Sequence, residues 1–443
     1  MKSHLNTILR ISWPIIVAQL GMVLTGFFDN LMVSQLGYHE LAAAGISNSI
    51  YFLIAVFPMG ITIAYATVIS ILEGRAKRNA GSLVFRDATY ITAIISVLTI
   101  VLLLIAAHNF HWFKQDSAVE LLAKPYLILL AYSSAPMLFF FFVKNLCDGY
   151  QYTQAGMQVT LITLALNVFL NWVFIFGNLG FQSYGLNGAG YATILSRTIG
   201  FVIVLAMFIK SDKIPIYKKD LIIAFSNPRR HPFYNQILKL GIPSGLQFFF
   251  EVAAFVLAAI LAGWLGPKEL AAHQLAITLA ALTYMFASGL SSGASIAVAR
   301  SYGTKNIADI KQLAKAALLS SSGVMIIFAV LFLIFNNWLA QWFSEDAEVV
   351  AMGAALLIYA AIFQLSDGVQ AISIGLLRGI EDVKFPSLIT LLAYWLVAIP
   401  VGYYLGFKLD WGINGIWFGL SLGLTCSAIL LCIRFYSIIK TKV

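Results

Sequence analysis

Three carboxylates interrupt long apolar stretches of this sequence. Asp29 lies in Thr25-Gly26-Phe27-Phe28-Asp29-Asn30, Glu251 in Gln247-Phe248-Phe249-Phe250-Glu251, and Asp367 in Phe363-Gln364-Leu365-Ser366-Asp367-Gly368. An ionisable group in an apolar segment is costly unless it is paired or hydrated, so each is a candidate for function. A carboxylate can hold Na+ through hard oxygen atoms, or take up and release a proton. Asn167 and Asn171 are four residues apart, so on a helix they share one face. Their amide oxygens suit the same hard cation, and beside Asp29 they would form a site of zero net charge with Na+ bound. Arg197 also falls inside an apolar segment. It can pair with an acid, reach back to an interface, or line a wet cavity.

Other chemistry is missing. No GxxxxGK[ST] loop occurs, and no His or Cys cluster has metal-ligand spacing. No nucleophile constellation is visible, so the reading is of a protein that is no enzyme, needs no cofactor and draws on an ion gradient. Cys147, Cys426 and Cys432 lie in or beside apolar runs, where cysteine is a small packing residue.

The elements that must position these groups are membrane-spanning helices. Apolar residues make up 60% of the 443 and charged residues 11%, against about 25% charged in a soluble domain. About twelve uncharged or nearly uncharged runs fall between residues 11 and 436. A run of roughly 20 apolar residues crosses the hydrocarbon core as a helix, and these runs are too long and too continuously apolar for barrel strands. The first apolar run is itself a full span, so no removable signal is expected.

The net charge of +9 points away from nucleic acid once its distribution is read. With the N-terminus inside, 23 of the 28 Lys and Arg residues fall on the cytoplasmic side, among them Arg75, Arg78, Arg229, Arg230 and Lys305. That asymmetry predicts both termini in the cytoplasm.

The chain also repeats itself. Ile8-Leu9-Arg10 through Pro14 recurs as Ile237-Leu238-Lys239 through Pro243, and Leu36-Gly37 with Glu40-Leu41-Ala42-Ala43 recurs as Leu265-Gly266 with Glu269-Leu270-Ala271-Ala272. Gly185-Leu186-Asn187-Gly188 matches Gly412-Ile413-Asn414-Gly415. Each half holds six spans, an even number, so the repeat is parallel, about an axis along the membrane normal, as in one class of carriers. The predicted architecture is all-α: an N-lobe over 1–210, a polar linker over 211–236 containing Pro215, Pro228 and Pro232, and a C-lobe over 237–443. The acids do not repeat. Asp29 falls opposite Ala258, Glu251 opposite Met22 and Asp367 opposite Met137, so two chemically distinct polar centres are expected.

These residues resemble the multidrug and toxic compound extrusion (MATE) family, in its NorM-like branch. The resemblance spans the whole chain and is carried by Pro14, Gln19 and Phe28-Asp29-Asn30-Leu31-Met32 in the first span, with the paired turns at Leu36–Ala43 and Leu265–Ala272. It implies a monomer in a bacterial inner membrane that expels small organic cations and drugs in exchange for Na+ or H+. It implies an N-lobe cation site at Asp29, Asn167 and Asn171, with Thr193 and a backbone contact at Ala189. In the C-lobe it implies Glu251 and Asp367, with Tyr284 nearby. Two departures matter. Asn171 stands where another branch has an acid, which weakens a two-carboxylate proton relay, and Phe363 stands where some NorM-like members have tyrosine. Having both Glu251 and Asp367 favours Na+ over H+. The alternatives are a lipid-linked precursor flippase of the same superfamily and a major-facilitator carrier. Three buried acids against one buried arginine favour cationic substrates.

Overall fold

A computed structural model describes residues 2–77, 80–216, 218–226 and 231–441. Arg78, Pro228, Arg229 and Arg230, used above, lie outside that set. Among the described residues, twelve helices are long and apolar enough to cross a bilayer. The first six are α1 (Lys2–Val33), α2 (Tyr38–Gly74), α3 (Gly81–His108), α4 (Ser117–Gly149), α5 (Thr153–Phe176) and α6 (Leu186–Lys210). A short helix, α7 (Lys218–Ser226), lies in the linker. Then come α8 (Tyr234–Leu265), α9 (Pro267–Gly303), α10 (Ile307–Gln341) and α11 (Ala347–Gly379). The eleventh span is Lys384–Lys408 and the twelfth is Ile413–Thr441. Helices answer the demand that every backbone polar group be satisfied within the segment in lipid. Side-chain caps set some of their starts. Asp116 accepts from the Ala118 amide, Asn306 from Asp309 and Asp346 from Glu348.

The repeated turns have a backbone cause. Gly37 and Gly266 hold φ of +148° and +158°, a region that disfavours any side chain. Glu40 and Glu269 follow in the first turns of α2 and α9, where a negative charge complements the helix N-terminus.

By packing, the chain divides into two compact units. One is Val17–Gly245, and the other is Met1–Ile16 with Leu246–Val443. The opening of α1 therefore packs with the second unit, and the opening of α8 with the first. Inside the first unit α4 is central, against α2, α3 and α6. Inside the second, its repeat equivalent α11 packs against α9, α10 and the twelfth span.

Close backbone approach secures the opening of α8. A Cβ added to Gly60 of α2 would lie 2.6 Å from Gly245 Cα and 3.1 Å from the Ser244 carbonyl. Neither neighbour is a flexible side chain that could give way. We expect Gly60→Val to destabilise the protein by about 1–3 kcal/mol, read as a lower melting temperature in detergent. Gly26→Ala is the control, because nothing lies within 4 Å of a Cβ there, and it should leave the melting temperature unchanged.

A buried ionic cluster ties the linker to α3. Arg86 donates to Asp87 Oδ1 through Nε at 3.0 Å and Nη2 at 2.8 Å, and through Nη1 to the Ala224 carbonyl of α7 at 2.8 Å. Asp87 also accepts from the Phe233 amide at 3.0 Å and lies 3.0 Å from His231 Nδ1. Arg86 and Asp87 are 1% and 0% exposed, so each charge depends on the other.

Candidate functional site

In the first unit, α1 carries Asp29 and α5 carries Asn167 and Asn171 one turn apart. The structure brings the three together. Asn171 Nδ2 donates to Asp29 Oδ1 at 2.5 Å and to Asn167 Oδ1 at 3.3 Å. Asn171 Oδ1 and Asn167 Nδ2 are buried and have no protein partner. Rotating the Asn171 amide by half a turn would exchange its nitrogen for that oxygen. The Asn171 oxygen would then lie beside Asp29 Oδ1 and Asn167 Oδ1, and the three together make a donor set for a hard cation. The α6 positions are arranged differently. Thr193 Oγ1 donates to the Ala189 carbonyl at 2.8 Å, so these two groups satisfy each other.

Arg197, left with three readings above, donates through Nη1 to the Tyr51 hydroxyl at 2.6 Å and to Ser133 Oγ at 2.7 Å. Its guanidinium lies over the Tyr51 ring at 5.1 Å, a cation–π contact. The arginine is thus held by neutral groups, within electrostatic range of Asp29 and without capturing it.

In the second unit, α8 supplies Glu251 and α11 supplies Asp367. Glu251 is 7% exposed. Its Oε1 accepts weakly, from Gln370 Nε2 at 3.4 Å and from the Tyr394 hydroxyl at 3.5 Å, and its Oε2 has no protein partner. Gln370 Nε2 also donates to the Tyr394 oxygen at 3.0 Å. Asp367, one turn before Gln370 and equally buried, interacts electrostatically with Glu251. Tyr284 of α9 packs beside Ala287, Met325 and Ala371. Phe363 stacks on the Trp417 ring at 5.8 Å, so its position serves packing.

Gln370 and Tyr394 escaped sequence reading as site residues. Tyr394 lies in a stretch of π-helix, Ala393–Ala398, within the eleventh span. Wide turns of this kind re-aim side chains and recur at functional sites. The next residue, Trp395, donates its indole N–H to the Phe250 carbonyl at 3.1 Å, which fixes the α8 backbone beside Glu251.

The count of buried charge needs correction. Lys144 and Arg378, counted unnamed among the 23 cytoplasmic Lys and Arg residues, are buried within α4 and α11. Lys144 Nζ binds Asp148 Oδ2 at 2.7 Å, four residues along the same helix. With the Arg86–Asp87 pair, the buried acids among the described residues are Asp87, Asp148, Glu251 and Asp367, with Asp29 half-buried, and the bases are Arg86, Lys144, Arg378 and the half-buried Arg197.

A tandem repeat of six spans, with buried carboxylates in each unit, defines a multi-pass membrane transporter rather than an enzyme. The MatE family profile matches residues 14–173 and again 243–404, so its two copies begin at the repeated prolines Pro14 and Pro243. The chain belongs to the MatE family, which separates it from the major-facilitator carriers. It is 32% identical to "Multidrug resistance protein NorM" of Aliivibrio fischeri over 443 residues, covering 98% of this chain and 94% of that protein. It is 30% identical to "Probable multidrug resistance protein NorM" of Rhizobium meliloti, covering 99% and 94%. A crystal structure of a MATE transporter in a bent conformation superposes with a TM-score of 0.90 at 18% identity, covering 99% of this chain and 96% of that one. An outward-facing multidrug resistance MATE transporter gives 0.89 at 20%, again over 99% and 96%. At those identities the structures establish the fold, which is the expected one of twelve helices in two six-helix bundles.

Proposed function

We propose that the protein is a multidrug exporter that expels small organic cations in exchange for Na+, with H+ as the alternative coupling ion. The carrying observation is that half-buried Asp29 and buried Glu251 are acids held by neutral groups. Asn171 and Asn167 attend the first, and Gln370 and Tyr394 the second. Neither carboxylate hydrogen-bonds a basic side chain among the described residues. Each keeps the charge that a cation would neutralise, and this favours cations over the pyrophosphate headgroup of a flippase substrate. The names of the NorM relatives support drug-like cargo. In this reading Asp29, Asn167 and Asn171 bind the coupling ion, with Thr193 and Ala189 completing the first-unit site. Glu251 and Asp367, flanked by Tyr284, bind a second ion or the positive group of the cargo. The protein works as a monomer in a bacterial inner membrane, with both termini cytoplasmic and the sequence halves 1–210 and 237–443 acting as lobes joined by 211–236.

The test is efflux of tetraphenylphosphonium from vesicles holding purified protein. A Na+ gradient at fixed pH should drive efflux. Efflux driven only by a pH gradient moves the coupling to H+, and no response to either gradient overturns the reading.

A further inference from the structure

Arg378 is 3% exposed, yet its Nε and Nη2 find no protein acceptor. Its guanidinium lies over the Phe248 ring, with the guanidinium carbon 5.8 Å from the ring centre. Among the described residues, the other two bases buried this deeply, Arg86 and Lys144, both hold a carboxylate. An unpaired guanidinium in such a place is unfavourable and marks a functional group.

The repeat shows why Arg378 lacks a partner. Leu146-Cys147-Asp148-Gly149 of α4 matches Leu376-Leu377-Arg378-Gly379 of α11. The glycines confirm the match: Gly149 packs on the Ala66 carbonyl and Ile69, and Gly379 on the Ser295 carbonyl and Val298, which are repeat equivalents. In α4 the acid at this position is neutralised from four residues before, by Lys144. In α11 the residue four before Arg378 is Ile374, and the acid four after, Asp382, is taken by Arg434 at 2.8 Å. The charge at this position has been inverted and its local partner removed.

On the helix that Arg378 lies against, an acid with an unpartnered oxygen is Glu251. Phe248 and Glu251 are three residues apart on α8 and so share a face. Side chains on α11 lean toward its N-terminus, which carries the Arg378 head toward Gln370, and Gln370 already bonds Glu251. The guanidinium and Glu251 interact electrostatically, with Phe248 beside the guanidinium and Oε2 of the acid unpartnered.

We propose that Arg378 is the resident counter-charge of the second unit, pairing with Glu251 when that carboxylate holds no cation and yielding when one binds. The guanidinium and the transported cation then compete for one carboxylate. Arg378 is a positioning residue, and the inference rests on Glu251 binding a driving cation, the first of the two roles proposed for it above.

The test uses the full-length protein in vesicles, with tetraphenylphosphonium efflux driven by Na+ at fixed pH and, separately, by a proton gradient without Na+. Removing the competing charge in Arg378→Gln should lower the apparent KM for the driving cation by roughly twentyfold, the scale of a charge pair about 8–10 Å apart at an effective dielectric of ~20. The maximal rate should fall at the same time, because cation release loses its replacement. Arg378→Lys should restore the KM. In a Glu251→Gln background, Arg378→Gln should leave the KM unmoved. An unchanged or raised KM in Arg378→Gln, or a shift that persists without Glu251, overturns the proposal. If Glu251→Gln alone leaves cation dependence intact, the assignment of Glu251 falls first and takes this inference with it. If Arg378→Gln does not fold, the double variant decides: recovery of folded protein supports the pairing, and no recovery overturns it.

Discussion

Asp29→Asn is expected to abolish cation-driven export while leaving the folded protein intact. The amide keeps the shape of the side chain and can still hydrogen-bond Asn171, now 2.5 Å away, but it carries no charge and cannot cycle a proton. Losing a unit charge about 4 Å from a bound cation removes about 4 kcal/mol at an effective dielectric of ~20, roughly a thousandfold in affinity. The loss is the same in kind whether Na+ or H+ drives the cycle. Asp29→Glu keeps the charge and should retain part of the activity. The measurement is gradient-driven efflux from vesicles beside the melting temperature of the same preparations. Undiminished efflux in Asp29→Asn would remove the residue from the coupling site.

The second large effect concerns stability. Asp87→Ala leaves Arg86, 1% exposed, without its carboxylate. Breaking a buried pair by deleting one partner costs about 3–5 kcal/mol. The variant also removes acceptors from the Phe233 amide and His231, so the linker should loosen before the spans do. We expect a lower melting temperature and faster proteolysis between α6 and α8. Replacing both charges, Arg86→Met with Asp87→Ala, should recover much of the loss. A single variant as stable as the parent would show that the other contacts of Arg86 suffice.

Much of this was legible in the residues. Long uncharged runs foretold twelve spans because lipid admits few backbone solutions. The Asn167 and Asn171 pair was legible because a spacing of four is local information. The partnership of Glu251 with Gln370 and Tyr394 was not, since those residues are 119 and 143 positions away. A glutamine or tyrosine carries no charge to mark it. The aim of Tyr394 further depends on a π stretch that no hydrophobic period announces. Lys144 and Asp148 could have been read from their spacing of four, and were missed because they lie where a span meets a basic end. Arg378 became visible only after the repeat was laid over the packed helices. Similarity at an offset of 229 records common descent, and it says nothing about which segment packs on which.

That last distinction reaches into biosynthesis. The compact unit Val17–Gly245 includes the opening turns of α8, so it cannot close when its own six spans have been made. It must wait for residues from the start of the second half, including the Gly245 that seals Gly60. Residues 2–16, made before the rest of α1, belong to the unit whose remaining residues follow Gly245. They must stay unclaimed through the synthesis of more than half the chain. A chain cut at the linker would therefore yield two incomplete products rather than two working halves.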